Sequence, residues 1–177
     1  MAPSRPASLK VRALQWLAQR EHSRSELRDK LLRLLQRSGR AEGGDDATQA
    51  DGGSPAAEVE TVLVWLEQNG HLCDARFTES RVHARQSRFG NRRIQQELRQ
   101  HGVALDAVAQ QALVQSEFSR ACEVWRRKYG APAVDAAARL RQMRFLAGRG
   151  FSMDVVQQVL KRGAPDAEDS GRGTGSA

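Results

Sequence analysis

Strand-forming residues are nearly missing from this 177-residue chain. It has a single isoleucine (Ile94), four threonines and one tyrosine, against many Leu, Ala, Arg, Gln and Glu. That set favours helices and starves strands, so the fold class expected is all-α. Cysteine is scarce as well. Cys73 and Cys122 stand far apart in no metal or redox spacing, which speaks against a disulfide framework and predicts a reduced, cytoplasmic setting. No run approaches the roughly 18 apolar residues of a membrane span, and Met1 to Ser8 lacks the apolar region of a signal peptide. Neither export nor a membrane partner is expected. Aromatics make up only 5% of the residues, and Trp16, Phe118 and Trp125 fall in core phase, which argues against base stacking on single strands.

Catalytic constellations are also missing. His22, His71, His83 and His101 occur singly, near helix ends or on polar faces. His71-x-Cys73 has no second pair to complete a four-ligand zinc site, and there is no Gly-x-x-x-x-Gly-Lys-Ser/Thr to cradle phosphates. Most acids lie near basic residues along helices, as Glu26 does to Lys30, so paired acid–base carboxylates have no support. The expectation is a protein without metal, cofactor or enzymatic activity.

What the chain does have is helical periodicity and arginine. Leu9, Ala13, Trp16 and Leu17 follow i, i+4, i+7, i+8. Ser23-Arg-Ser-Glu26 reads as a capping box for a second helix, with Leu27, Leu31, Leu34 and Leu35 at the same spacing. The pattern stops over 37–54, which is small, polar and acidic. It resumes at Ser54-Pro55 with Val59, Val62, Leu63 and Leu66, ending at Asn69-Gly70. Asp74 is expected to cap the next helix. Asn91 and Gly102 should bound a short one carrying Ile94 and Leu98 on one face and Arg92, Gln96 and Arg99 on the other. Further helices are expected over Leu105–Ala112, from Ser116 (Phe118, Ala121, Cys122, Trp125, Tyr129), from Pro132 (Ala136, Leu140, Met143, Ala147 in phase) and from Ser152.

Nine helices fall into three groups of three. An offset of 48 residues superposes Gly102-x-x-x-Asp106-x-Val108-x-Gln110 on Gly150-x-x-x-Asp154-x-Val156-x-Gln158, as stacked modules would. The expected organisation is an elongated stack of three tandem three-helix repeats. A disordered arm (1–7) precedes module 1 (8–70, with a disordered acidic insert at 37–54). Module 2 (71–115), module 3 (116–162) and a disordered tail (163–177) follow.

Net charge is +7, with a sequence pI near 10.4, and this points to an anionic partner. Seven arginines face three acids from Asp74 to His101, a net +4; ten Lys/Arg face four acids from Glu117 to Arg162, a net +6. Only four of the chain's basic residues are lysines, against 24 arginines, which suits bidentate contact with phosphate or carboxylate. The candidate contact residues are Arg81, Arg85, Arg88, Arg92, Arg93 and Arg99 in module 2, with Arg120, Arg127, Arg144 and Arg149 in module 3. Phe77, Ile94, Leu98, Trp125 and Phe145 read as packing residues.

Several segments, in order, resemble the bacterial regulatory protein RecX family. They are the stretch 9–27 ending in Glu26-Leu27; Asn69-Gly70-His71-Leu72-x-Asp74-x-Arg76-Phe77; Phe89-Gly90-x-Arg92-Arg93-Ile94-x-x-Glu97-Leu98-x-x-His101-Gly102-Val103; and Arg144-Phe145-Leu146-x-x-Arg149-Gly150-Phe151-Ser152. The resemblance runs from about residue 9 to 162 and departs at the glycine-rich insert 37–54 and at Cys73, beside Asp74. It implies tandem three-helix repeats and an inhibitor of the RecA recombinase; a monomer is expected. Such an inhibitor binds RecA chiefly as the filament on DNA, lies along its groove, and suppresses strand exchange, ATP hydrolysis and stimulation of LexA cleavage. The alternative is a basic helical protein that binds DNA directly, without RecA. On either reading the arginines would make ion pairs, to acidic protein surface or to DNA phosphate.

Overall fold

The structure, a computed structural model, describes residues 8–41 and 54–162. The expected arm 1–7, most of the insert and the tail 163–177 lie outside the described residues. Eight helices and no strand occur among those that are described: α1 (Leu9–Gln19), α2 (Arg24–Ala41), α3 (Pro55–Gln68), α4 (Asp74–Gln86), α5 (Asn91–Gln100), α6 (Ala107–Lys128), α7 (Ala136–Gly148) and α8 (Met153–Arg162). Two compact units divide the chain. The first takes the described residues up to Arg81 together with Arg99–Val103; the second takes Val82–Leu98 and the residues from Ala104 onward. The division falls within α4 and α5.

In the first unit α1, α2 and α3 pack on one another around Ala13, Leu27, Leu31, Val59, Leu63 and Leu66, the residues the 3.6-residue periodicity marks. Each of the larger ones contributes about 1.5–3 kcal/mol by leaving water. Ser23 caps α2 as expected, its Oγ accepting from Glu26 N at 3.1 Å. The second half of the expected capping box does not form. The Glu26 carboxylate is held by Arg20 and sits beside His22 rather than reaching back to Ser23 N–H, and the next open donor, Arg24 N–H, is taken by Asp74 Oδ1 at 2.8 Å. Asp74, placed at the start of α4, therefore satisfies a helix 50 residues earlier in sequence. Gly70 ends α3 at φ +70°, while His71 and Leu72 both donate to Leu66 O. Helix α2 runs to Ala41, past the expected break at residue 37, with the Ser38 hydroxyl bonded back to Leu34 O at 3.2 Å.

In the second unit α6, α7 and α8 enclose Ala121, Trp125, Leu146, Phe151, Val156 and Leu160. Three features of this unit differ from those the sequence predicts. Ser116 starts no helix: its hydroxyl donates to Ala112 O at 2.8 Å, and α6 runs through it in a single 22-residue span, so eight helices stand among the described residues where nine were expected. Helix α7 begins after Asp135, whose Oδ1 accepts from Ala138 N at 2.6 Å, and not at Pro132. Its buried face is also turned from the expected one. Gln142 and Leu146 are buried; of the expected stripe Met143 packs half-buried on the core and Ala147 is half-buried, whereas Ala136 and Leu140 are exposed. Gln142 is inside because Trp125 Nε1 donates to its Oε1 at 2.9 Å, and its own Nε2 reaches Ala131 O at 3.3 Å.

Candidate functional site

A buried polar hub organises the second unit. Asn91, expected to cap its own helix, is instead buried at the start of α5 and turned toward α6. Its backbone N–H donates to Glu117 Oε1 at 3.0 Å, its Nδ2 donates to Leu113 O at 3.1 Å, and its Oδ1 accepts from Arg120 Nη2 at 2.5 Å. Arg120 Nη1 also reaches Phe89 O at 2.9 Å and Gln86 O at 3.2 Å. Glu117 extends the network to Ser152, accepting from its hydroxyl at 3.1 Å and its N–H at 3.3 Å. Burial pulls the Arg120 guanidinium below its ordinary range, and the negative charge of Glu117 pushes back. Arg120 is thus a tie between segments, which removes it from the exposed contact surface on which the sequence reading placed it.

The turn after α4 is clasped a second time through backbone. Gly90 N donates to Arg149 O at 3.0 Å and Arg92 N to Gly150 O at 3.1 Å. No side chain fits between these strands of chain, since a Cβ on Gly90 would lie 2.3 Å from Phe151 N. A Cβ on Gly150, at φ +86°, would lie 2.6 Å from Arg93 Cβ.

Held this way, the turn presents two carbonyls that anchor two arginines. Arg127 Nη2 donates to Ser87 O at 2.8 Å, and Arg149 Nη1 to Arg88 O at 3.3 Å. The Arg149 guanidinium also lies 5.0 Å from the Phe145 ring centroid and 5.6 Å from that of Phe89. These side chains, with Arg88 and Lys128, surround a cavity of about 240 Å³ whose apolar lining is Val124 and Phe145. Four cations and no acid line it. An oxyanion is the ligand such a lining can take: each anchored guanidinium uses one N–H on a carbonyl and keeps others in a fixed fork.

Of the ten arginines singled out from sequence, the structure brings Arg88, Arg127 and Arg149 together at this cavity. Arg85 lies elsewhere in the same unit and pairs with Glu97 at 3.0 Å. Arg93 stacks 4.4 Å from the Phe89 centroid, and Arg92 and Arg144 are exposed. Arg81 and Arg99 belong to the first unit: Arg99 is exposed, and Arg81 Nη2 lies 2.9 Å from His101 Nε2, over the Phe77 ring. Lys128 was missed by sequence reasoning, although the run Arg126-Arg127-Lys128 at a helix C-terminus, where the dipole favours cations, could have signalled it. The first unit spends its arginines differently. Arg24 bridges Glu60 and Glu67, Arg28 meets Glu60 and Arg76 meets Glu21, all at 2.8–3.0 Å.

Comparison with known proteins agrees with this architecture. The family model described as RecX, second three-helix domain, matches residues 74–113, and RecX, third three-helix domain, matches 115–160. Regulatory protein RecX of Ralstonia nicotianae is 43% identical over 171 residues, covering 96% of this chain and 96% of that protein. The chain belongs to the RecX family. Regulatory protein RecX of Leptothrix cholodnii is 48% identical, covering 91% of this chain and 93% of its own length. The crystal structure of RecX from Lactobacillus salivarius shares the fold, with a TM-score of 0.60 at 18% identity over 88% of this chain and 94% of that one. RecX proteins are thus similar to this chain over nearly its whole length, and they are named as regulatory proteins. Among the described residues no helix is long and apolar enough to cross a membrane, and no group of His, Cys, Asp or Glu is arranged to hold a metal.

Proposed function

We propose that this chain regulates the RecA recombinase, binding it chiefly as the filament on DNA and suppressing ATP hydrolysis, strand exchange and coprotease activity. It acts by binding alone, as a monomer in the cytoplasm, with no cofactor. Membership of the RecX family supports the reading. The observation on this chain that carries it is the cationic surface of the second unit, where Arg88, Arg127, Lys128 and Arg149 meet with no acid among them. The exposed Arg92, Arg99 and Arg144 add to the basic surface. Several weak ion pairs to successive subunits of a filament would add through effective concentration, so no single contact need be strong.

The test is single-stranded-DNA-dependent ATP hydrolysis by RecA of the same organism while this protein is titrated in. Inhibition is expected at protein concentrations well below those that coat the same DNA without RecA, followed by anisotropy. Inhibition appearing only once the DNA is saturated would mean competition for the lattice and would remove RecA as the target. Arg92→Glu with Arg99→Glu should weaken filament binding with helicity unchanged by circular dichroism.

A further inference from the structure

We infer that residues 164–170 of this chain fold back over a groove between α6 and α8 and cover it, their carboxylates meeting Arg126 and Arg162. This goes beyond RecA regulation and does not depend on it. The groove measures about 730 Å³, within the range of sites that hold a ligand. Its floor is Trp125, Val159 and the half-buried Phe118, while Arg126, Arg162 and Glu123 stand exposed at its rim. The Arg162 guanidinium lies 5.2 Å from the Phe118 ring centroid, which brings the charge of α8 against the apolar face of α6. Burial pushes the Cys122 thiol in the wall up, and Arg126 and Arg162 pull it back down, so both guanidinium groups act on the same wall. Among the described residues neither arginine has an acid at ion-pair distance, and Glu123 leaves the lining with a net +1.

The sequence beyond α8 supplies the complement. Asp166, Glu168 and Asp169 come four to seven residues after Arg162, interleaved with the small apolar Ala164, Pro165 and Ala167. From 163 to 177 three acids face one base, Arg172, a net −2. A chain spans at most about 3.6 Å per residue, so Asp166 can stand up to roughly 14 Å from Arg162 and Asp169 up to roughly 25 Å. Gly163 and Pro165 are the residue types that stop a helix and turn the chain back on it. Carboxylates suit the rim, and the alanines and proline suit the floor.

Tethering selects this occupant over a free one. A segment starting at the rim is present at an effective concentration on the order of millimolar. A second copy carries the same +7 and is repelled.

The experiment compares the full chain with D166N/E168Q/D169N, both carrying Cys73→Ser so that Cys122 is the one thiol. Alkylation of Cys122 by iodoacetamide, a neutral reagent, is followed at low salt by mass spectrometry. The three substitutions lie beyond α8 and touch neither core. The neutralised segment should let Cys122 react at least about threefold faster, as loss of two surface ion pairs implies. Raising the salt should bring the parent up to the variant. Equal rates at low salt would overturn the inference, and a parent rate that falls with protein concentration would make a second copy the cover. In the chain with both cysteines, the Val159 methyl and Phe118 ring signals should shift on D166N/E168Q/D169N. Unmoved signals there, even with a faster rate, would reduce the effect to long-range charge and refute the contact; this readout also decides if Cys73→Ser disturbs the fold. RecA is absent throughout, so this result and the ATPase result can fail separately.

Discussion

Replacing Arg120 with methionine tests the central distinction between arginines that look alike in sequence. The side chain is buried, and methionine keeps much of its volume while removing every donor. Five oxygens of other residues lose a guanidinium partner: Gln86 O, Phe89 O, Asn91 Oδ1, Leu113 O and the Ser116 hydroxyl. Leu113 O keeps the amide of Asn91, so the largest losses are at the turn carbonyls and the Asn91 side chain. The nearby Glu117 carboxylate, also buried, loses its compensating positive charge. Removing one partner of a buried charge network costs about 3–5 kcal/mol, a large share of the roughly 5–15 kcal/mol that holds a domain together. With a urea dependence of about 2 kcal/mol per molar, the unfolding midpoint should fall by about 2 M. The assay is Trp125 fluorescence in a chain with Trp16→Phe and Trp65→Phe, because Trp125 sits in the core of the second unit and reports it alone. Arg144→Met, at an exposed arginine of the same unit, should stay within about 0.5 kcal/mol. A midpoint shift for Arg120→Met no larger than that for Arg144→Met would refute the hub.

Three further outcomes follow from named contacts. Gly90→Ala forces a methyl to within 2.4 Å of Gly150 O and disrupts two backbone bonds; a loss of about 3 kcal/mol or more is expected, by the same Trp125 assay. Gln142→Leu strands the buried Trp125 N–H, which should cost about 1–3 kcal/mol and shift the Trp125 emission. In the first unit burial holds His22 below its ordinary 6.5, although Glu26 at 3.1 Å pulls the other way. Below about pH 6.5 the unfolded chain takes up a proton that folded His22 refuses, so stability should fall as pH drops into that window. Glu26 is held below 4.5 because Arg20 and His22 together outweigh its desolvation; the stability it adds is present above that pH and is lost further down. His22→Gln should flatten the upper part of the decline, measured by urea midpoints from Trp16 and Trp65 between pH 7 and 4; an unchanged slope would rule His22 out.

Much of the fold was legible because leucine and valine periodicity reports burial directly. Leu27 and Leu31 lie inside as their spacing says, and Gly70, Gly102, Gly130 and Gly150 all take the positive φ of a helix stop. What could not be read was polar burial. Asn91, Glu117, Arg120 and Gln142 look like surface residues in any local pattern. They are inside because partners 17 to 35 residues away in sequence satisfy them. The phase of α7 was misjudged for that reason, since its inward face carries a glutamine. Ser116 was misread because a serine hydroxyl can cap the helix ahead or bond back to the turn behind, and only packing decides which. At the cavity, charge composition found the arginines, but the carbonyls of Ser87 and Arg88 that sort them are backbone groups, invisible to residue type.

The uninterrupted course of α6 has a consequence for how this chain can change length. Core residues Ala121 and Trp125, the hub residues Glu117 and Arg120, and the cavity residues Arg127 and Lys128 all take their direction from one helix. Each residue advances that helix by about 100°. One alanine inserted after Arg120 would swing every later side chain through that angle, sending Trp125 toward solvent and Arg127 away from Ser87 O. Substitutions on the outward stripe, at Val108 or Val114, leave the angle untouched. Over Ala107–Lys128 the chain can therefore drift in composition but not in residue count, and a working relative should match it there register for register.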